Sequence, residues 1–305
     1  MSFLKKMFSI RKIDNHRIFM FMGIQLKIKC KSSFDCPKVK DIGVTTNKRE
    51  IKIIASLTTF PQRIFSVEKT ISTLLTQTLK PDEIILWLAD SQFPNRELPK
   101  SLTDLQNYGL SIRWCDDIRS YKKIIPTLKE YANDIIITFD DDLYYVENTI
   151  ESLYASYLKH PKDIHSHRCG KIKLNKDKIS DISMSKLYFA EFITASMFNR
   201  QIGYGGVLYP PKSLHSDVLD VKKLSELVPT HDDIWLWVMA VLNGTKIRSV
   251  KGYDESVNYV ENTQQLGLCK INKATSIGGS VEDAIDVLSQ LYPRLINILE
   301  EEGEE

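Results

Sequence analysis

The chain has 305 residues, 43% hydrophobic and 26% charged, which suits one large folded domain or two modest ones and excludes a disordered or fibrous protein. Its net charge of +2 conceals an asymmetry: residues 1–31 hold eight Lys or Arg against one acid, so the other 274 residues are net −5. Five scattered cysteines (Cys30, Cys36, Cys115, Cys169 and Cys269) show no CxxC or zinc spacing, which argues against a disulfide framework or structural zinc and for reduced cytoplasmic thiols.

The basic segment superficially resembles a signal peptide, but its apolar run, Ile18 to Ile24, is short and no small-residue cleavage site follows. It is also far below the roughly 20 apolar residues of a membrane span. Two readings stay open: a β-hairpin-like leader with solvated lysines, or a basic patch resting peripherally on an anionic membrane surface. Residues 32–50 are polar and read as a linker.

A strand–helix alternation follows. IKIIASL (51–57) is a β-branched run of the fully buried kind. Ile64, Val67, Ile71, Leu74 and Leu75 lie at helical spacing. EIILWLA (83–89) and LSIRWC (110–115) read as the second and third strands. A helix over Ile124 to Ala132 carries Pro126, which is tolerable near the first turn. DIIITF (134–139) is the fourth strand, and Asn148 with Glu151 reads as the capping box of the next helix. Such alternation predicts an α/β fold with a mostly parallel, doubly wound sheet, whose ligands bind beyond the carboxyl ends of the strands.

The second half is less regular. GYGGVLYPP (203–211) reads as a loop, His231 to Leu242 as a helix opened by acids, and 281–299 as an amphipathic segment bent near Pro293. An acidic EEEGEE tail closes the chain.

Asp140, Asp141 and Asp142 follow the fourth strand directly. Two such charges ~4 Å apart repel by about 4 kcal/mol at an effective dielectric near 20, so something positive belongs there. Continued strand alternation would send Asp140 and Asp142 to one side and Asp141 to the other. Two carboxylates on one side suit a hard divalent cation, Mg²⁺ or Mn²⁺, with positions left open for a diphosphate. A solvated acidic turn is the competing reading.

The stretches ASLTTFPQRI (55–64), LKPDEIILWLA (79–89), IRSYKKIIPTLKEY (118–131), DDDLYY, GGVLYPP (205–211) and HDDIWLWVMAVLNG (231–244) resemble bacterial glycosyltransferases of the GT-A fold. The group is the family-2-like set that assembles lipopolysaccharide and capsule, and the likeness covers roughly residues 51–270. It implies a Rossmann-like GT-A domain over 51–305, with a nucleotide-sugar half (51–160) and an acceptor half (161–305), behind a leader and linker (1–50). It implies transfer from a UDP- or GDP-sugar to a glycan or lipid-linked glycan, metal-dependent and inverting, with no nucleic-acid partner.

Position by position, the resemblance implies that Asp140 and Asp142 hold the metal, supported by Asp141. Thr58 to Arg63 would border the nucleotide, and Asp90 would contact the base or ribose, a surface turn acid being its alternative. Tyr121 and Lys122, followed by Lys123, would meet the diphosphate; the two lysines are not expected to point inward together. Asp233 or Asp232 would take the acceptor's proton, with Asp232 the better helix cap. Gly205 and Gly206 would let backbone approach an acceptor sugar, and Tyr204, Tyr209, Trp235 and Trp237 would offer aromatic faces, core packing being the plainer reading of the tryptophans. The chain departs from the resemblance in lacking any His after His231, so that His231 or water would complete the metal shell. His165 and His167 are a weaker metal pair, since strand alternation alone produces their spacing.

Two other classes remain. Nucleotidyl transfer on a related sheet would bring a glycine-rich loop after the first strand, where SLTTFPQR has none. A catalytically silent carbohydrate-binding protein would keep the fold without the chemistry.

Overall fold

The computed structural model describes residues 35–176, 178–182, 194–251, 258–264 and 279–304, and the backbone of 8–13, 16–21 and 24–29. The leader strands β1 (Phe8–Ile13), β2 (His16–Phe21) and β3 (Ile24–Lys29) form an antiparallel meander, one strand more than a hairpin. The side chains of residues 1–34, on which the basic-patch reading rests, lie outside the described residues, as do Cys30 and Cys269.

The predicted linker is not free. The Gly43 and Thr45 amides donate to the Tyr108 and Pro81 carbonyls, and Val39 and Val44 pack against the core.

The central sheet has seven strands: β4 (Ile53–Thr58), β5 (Glu83–Ala89), β6 (Leu110–Cys115), β7 (Ile135–Phe139), β8 (Ile164–Ser166), β12 (Val207–Tyr209) and β13 (Ile247–Ser249). Their order is β13-β8-β12-β7-β4-β5-β6. The pairs β4–β5, β5–β6, β4–β7 and β8–β13 are parallel, whereas β12 runs antiparallel to both its neighbours. A smaller antiparallel sheet joins β9 (Cys169–Asn175), β10 (Lys178–Ile182) and β11 (Asn199–Gln201). This is the expected mostly parallel α/β sheet flanked by helices. β4 and β5 are apolar runs rather than alternating ones because both faces are covered.

Helices α1 (Val67–Leu74) and α3 (Thr149–Lys159) pack with Ile53, Ala55 and Leu57 on one face, while α2 (Ile125–Glu130) holds Pro126 in its first turn. On the other side, α5 (Asp232–Leu242) is buried almost all round and sits with α4 (Val221–Leu227), α6 (Val281–Leu291) and α7 (Arg294–Glu304). The last two divide at Pro293 as expected, and α7 takes in most of the acidic tail. No helix among the described residues is long and apolar enough to cross a membrane.

Two local readings are corrected. Asn148 makes no side-chain cap; the Ile150 amide instead donates to Gln77 Oε1 at 3.0 Å, while Glu151 accepts from the Thr78 hydroxyl. A tertiary partner thus satisfies the orphan donor that a capping box would have taken. GYGGVLYPP is not all loop, because Val207–Tyr209 inserts between β7 and β8. Its register, Val207 opposite Thr138 and Tyr209 opposite Ile136, brings the residues just before it beside the carboxyl end of β7. That reversal helps to build the site.

Candidate active site

Strands β4, β5 and β6 advance one way across the sheet, and β7 then returns to the other side of β4. Between β4 and β7 the strand order reverses, which opens a crevice at their carboxyl ends. A cleft of about 1050 Å³ lies there, lined by Thr58, Thr59 and Phe60 after β4 and Asp140 to Asp142 after β7, with Lys123, Asp232 and Asp233 opposite.

Strand β7 stops at Phe139, so strand alternation does not govern where the three aspartates point, and that ground for expecting Asp140 and Asp142 on one side is corrected. Asp141 and Asp142 share one cation. Arg63 Nη1 is 2.5 Å from Asp141 Oδ1, and Nη2 is 3.1 Å from Asp142 Oδ2. The second oxygen of Asp141 accepts from Thr59 Oγ1 at 2.5 Å, and Asp142 Oδ2 also accepts from Gln264 at 2.9 Å. Asp140 turns instead to Lys123, 2.9 Å away, while its amide donates to the Tyr145 hydroxyl.

The helix-opening acids join this cluster. Asp232 accepts from Ser120 Oγ at 2.9 Å through Oδ1, and its Oδ2 lies 2.9 Å from Lys123 Nζ as an ion pair without a well-angled hydrogen bond. It caps nothing, since it is the first residue of α5 rather than its cap. Asp233 Oδ1 accepts from the Gly203 amide at 3.1 Å.

Five carboxylates thus meet two cations, an excess of three negative charges were all ionised. Burial, with Asp141 next in weight, pushes the Asp142 carboxyl up to about 7. Burial and then Asp232 push Asp233 up to about 7. Burial also raises Asp141, against the pull of Arg63 and Thr59. It works equally against the Lys123 ammonium, yet Asp140, Asp232 and Asp233 outweigh it and hold the lysine's pKa well above its usual range.

The donor chemistry fits a hard divalent ion. Asp140 Oδ2 and Asp142 Oδ1 have no partner among the described residues, whereas both oxygens of Asp141 are taken. Among the described residues no three His, Cys, Asp or Glu side chains form a protein cage for a metal. His165 and His167 are enclosed, bonded to Ser156 and Ser152, and burial pushes both down to about 4.

Other predicted residues lie elsewhere. Trp235 is fully buried, its indole N–H donating to the Val218 carbonyl, and Tyr209 is buried within β12; neither lines the cleft. Tyr121 is buried with its hydroxyl on the Val228 carbonyl. Gly205 and Gly206 have φ of 102° and 97°, and a Cβ on Gly206 would stand 3.2 Å from the Phe139 ring. The turn into β12 and the core need these glycines, and they do not line the cleft. Asp90 is exposed, pairs with Arg96 and lies outside the cleft lining. Both adjacent lysines are buried and line the cleft, which corrects the expectation that they would not point inward together: Lys122 is held by Asp117 at 2.7 Å, and Lys123 is the lysine at the carboxylates.

Sequence reading gives no site role to Ser120, Gly203 or Gln264, and it assigns Lys123 to the diphosphate and Thr59 to the nucleotide border rather than to the aspartates they hold. The adjacent lysines carried a signal, but the 3-10 turn over Arg119–Lys123 decides which faces the acids.

No protein-family model and no curated protein matches this chain. Among solved structures it is similar to CMP:2-keto-3-deoxy-manno-octonic acid synthetase complexed with CTP, at 13% identity and a TM-score of 0.40 over 75% of this chain and 99% of that one. It is also similar to S. aureus TarS 1-349, at 15% identity and a TM-score of 0.45 over 82% of this chain and 69% of that one. Both are likenesses of general fold.

Proposed function

We propose that this chain transfers a sugar from a UDP- or GDP-linked donor to a hydroxyl of a glycan or lipid-linked glycan, with inversion. The observation that carries the reading is the meeting of Asp140, Asp142 and Asp233 in one cleft at the β4–β7 reversal, with more carboxylates than Arg63 and Lys123 neutralise. The cleft's volume matches that of sites for cofactor-sized ligands.

Glycosyl transfer needs charge held on the departing nucleoside diphosphate and a base for the acceptor hydroxyl. Asp140 and Asp142 would hold Mg²⁺ or Mn²⁺, which when bound supplies positive charge for the diphosphate oxygens. Asp233 would accept the proton. A carboxyl raised to about 7 keeps useful basicity near neutral pH, and its Oδ2 has no partner among the described residues. Thr58, Thr59 and Phe60 would border the nucleotide, while Tyr204 and Tyr259, 5.8 Å apart between ring centroids, offer aromatic faces to sugar.

The test incubates the full-length protein with a panel of nucleotide sugars, with and without Mn²⁺, and measures nucleoside diphosphate release with and without candidate glycan acceptors. Metal-dependent release, lost in Asp142→Asn, is the expected result. Pyrophosphate release would replace this reading with nucleotidyl transfer, and sugar binding without either product would replace it with a silent binding protein.

A further inference from the structure

Three charged groups from separate parts of the chain converge on a residue that has no side chain. Lys123, 6% exposed, has Nζ 2.9 Å from Asp140 Oδ1 and 2.9 Å from Asp232 Oδ2. Gly203 lies in the loop before β12 and donates its amide to Asp233 Oδ1. A Cβ built on Gly203 would stand 2.8 Å from Lys123 Nζ, 3.3 Å from Asp233 Oδ1 and 3.4 Å from Asp140 Oδ1. Gly203 is not among the glycines with positive φ, so alanine there meets those groups without backbone strain.

We propose that Lys123, seated against the bare backbone of Gly203, is the positioning residue that locks Asp140 of the β7 turn to Asp232 of the α5 opening, leaving Asp233 as the carboxylate of that pair that serves the acceptor. The inference deepens the transferase reading and rests on it for the word acceptor. Both oxygens of Asp232 are engaged, one by the Ser120 hydroxyl and one by the ammonium. Asp233 spends one oxygen on a backbone amide and keeps the other. A carboxylate held by a cation and a hydroxyl is the poorer base, so geometry separates two acids that sequence leaves equivalent. A lysine meant to grip a diphosphate would present a free ammonium; this one already holds two carboxylates. Of the other Lys and Arg side chains at the cleft, Arg63 is committed to Asp141 and Asp142 and Lys122 to Asp117, whereas Arg119 is exposed and makes no salt bridge among the described residues.

The test uses the full-length protein with Gly203→Ala, Lys123→Met and Lys123→Arg. Donor turnover is read as kcat and KM separately, and Mn²⁺ affinity is read by calorimetry without substrate. Gly203→Ala, which displaces the ammonium, is expected to lower kcat by about 10²-fold with donor KM nearly unchanged, the scale of a ~1 Å misplacement. Lys123→Met is expected to lower kcat similarly while binding Mn²⁺ at least about ten-fold tighter, because a competing cation beside Asp140 is gone. Lys123→Arg is expected to restore part of the turnover and to bring Mn²⁺ affinity back toward wild type. An undiminished kcat in Gly203→Ala, or Mn²⁺ affinity unchanged or weakened in Lys123→Met, would overturn the proposal. Should the wild type turn over no nucleotide sugar while Mn²⁺ affinity shifts as stated, the transferase reading fails and the Lys123 tie stands.

Discussion

Arg63 and Asp141, 78 residues apart in the chain, lie 2.5 Å apart with both side chains 7% exposed. The same guanidinium reaches Asp142, so one cation serves two consecutive carboxylates where β4 and β7 end. Arg63 therefore acts as an internal counter-ion. Arg63→Met is expected to cost about 3–5 kcal/mol, since it leaves buried charge uncompensated. Denaturant unfolding at pH 8 measures this, and Arg63→Lys should recover only part, because an ammonium lacks the fork that spans two acids.

Trp235 gives the opposite kind of test. Its ring is buried in the core with Tyr292 at 6.5 Å, away from the cleft, so Trp235→Ala should lower stability by about 3–5 kcal/mol. Tyr204→Ala, half-buried at the cleft wall beneath Arg168 and beside Tyr259, should cost less stability than Trp235→Ala and raise acceptor KM. Thermal unfolding and steady-state kinetics on the two variants check the contrast. A raised acceptor KM in Trp235→Phe would return that indole to the site.

The parallel half of the sheet was legible because β4, β5 and β7, buried on both faces, are nearly continuous apolar runs; β5 and the half-buried edge strand β6 begin and end where the sequence reading places them. Val207–Tyr209 was not, because three residues between Gly-Gly and Pro-Pro carry turn chemistry, and only pairing with β7 and β8 makes them a strand. The demand for positive charge near Asp140 to Asp142 was legible from Coulomb repulsion. Which cations answer it was not: Arg63 and Lys123 arrive from other strand ends, and alternation, valid to Phe139, says nothing beyond it. Asp232 and Asp233 were found as a pair, but their division of roles depends on Ser120, Lys123 and Gly203, none adjacent in sequence.

The raised carboxyls make stability depend on pH. Asp142 and Asp233, both pushed up to about 7, bind more protons folded than unfolded between pH ~4 and ~7. The slope of unfolding free energy with pH is then negative, so the metal-free protein loses stability as pH rises through that window and levels off above it. At 1.36 kcal/mol per pH unit the loss amounts to at most about 4 kcal/mol per group. Thermal unfolding at pH 5.5 and 8 in chelator measures it. Because a divalent ion at Asp142 replaces a proton, Mn²⁺ should raise Tm more at pH 8 than at pH 5.5. A Tm rising with pH in chelator would contradict this.

The three consecutive aspartates should separate into two functions under single substitution. Asp141 has both oxygens engaged, by Arg63 and Thr59, and so none for a metal ion. Asp141→Asn removes charge-assisted bonds in a buried place, and is expected to lower stability by about 2 kcal/mol or more while Mn²⁺ affinity changes only a few-fold. Asp142→Asn should do the reverse. It relieves an acid that burial and Asp141 make costly to ionise, so the metal-free protein should be no less stable at pH 8, and Mn²⁺ affinity should fall by at least about ten-fold. Asp140→Asn should also lose metal affinity, and it frees Lys123 from one of its two carboxylates. Calorimetric Mn²⁺ titration beside thermal unfolding reads both axes. If Asp141→Asn abolishes Mn²⁺ binding while Asp142→Asn does not, the ligand assignment is inverted, and Arg63 must release Asp141 when the ion arrives.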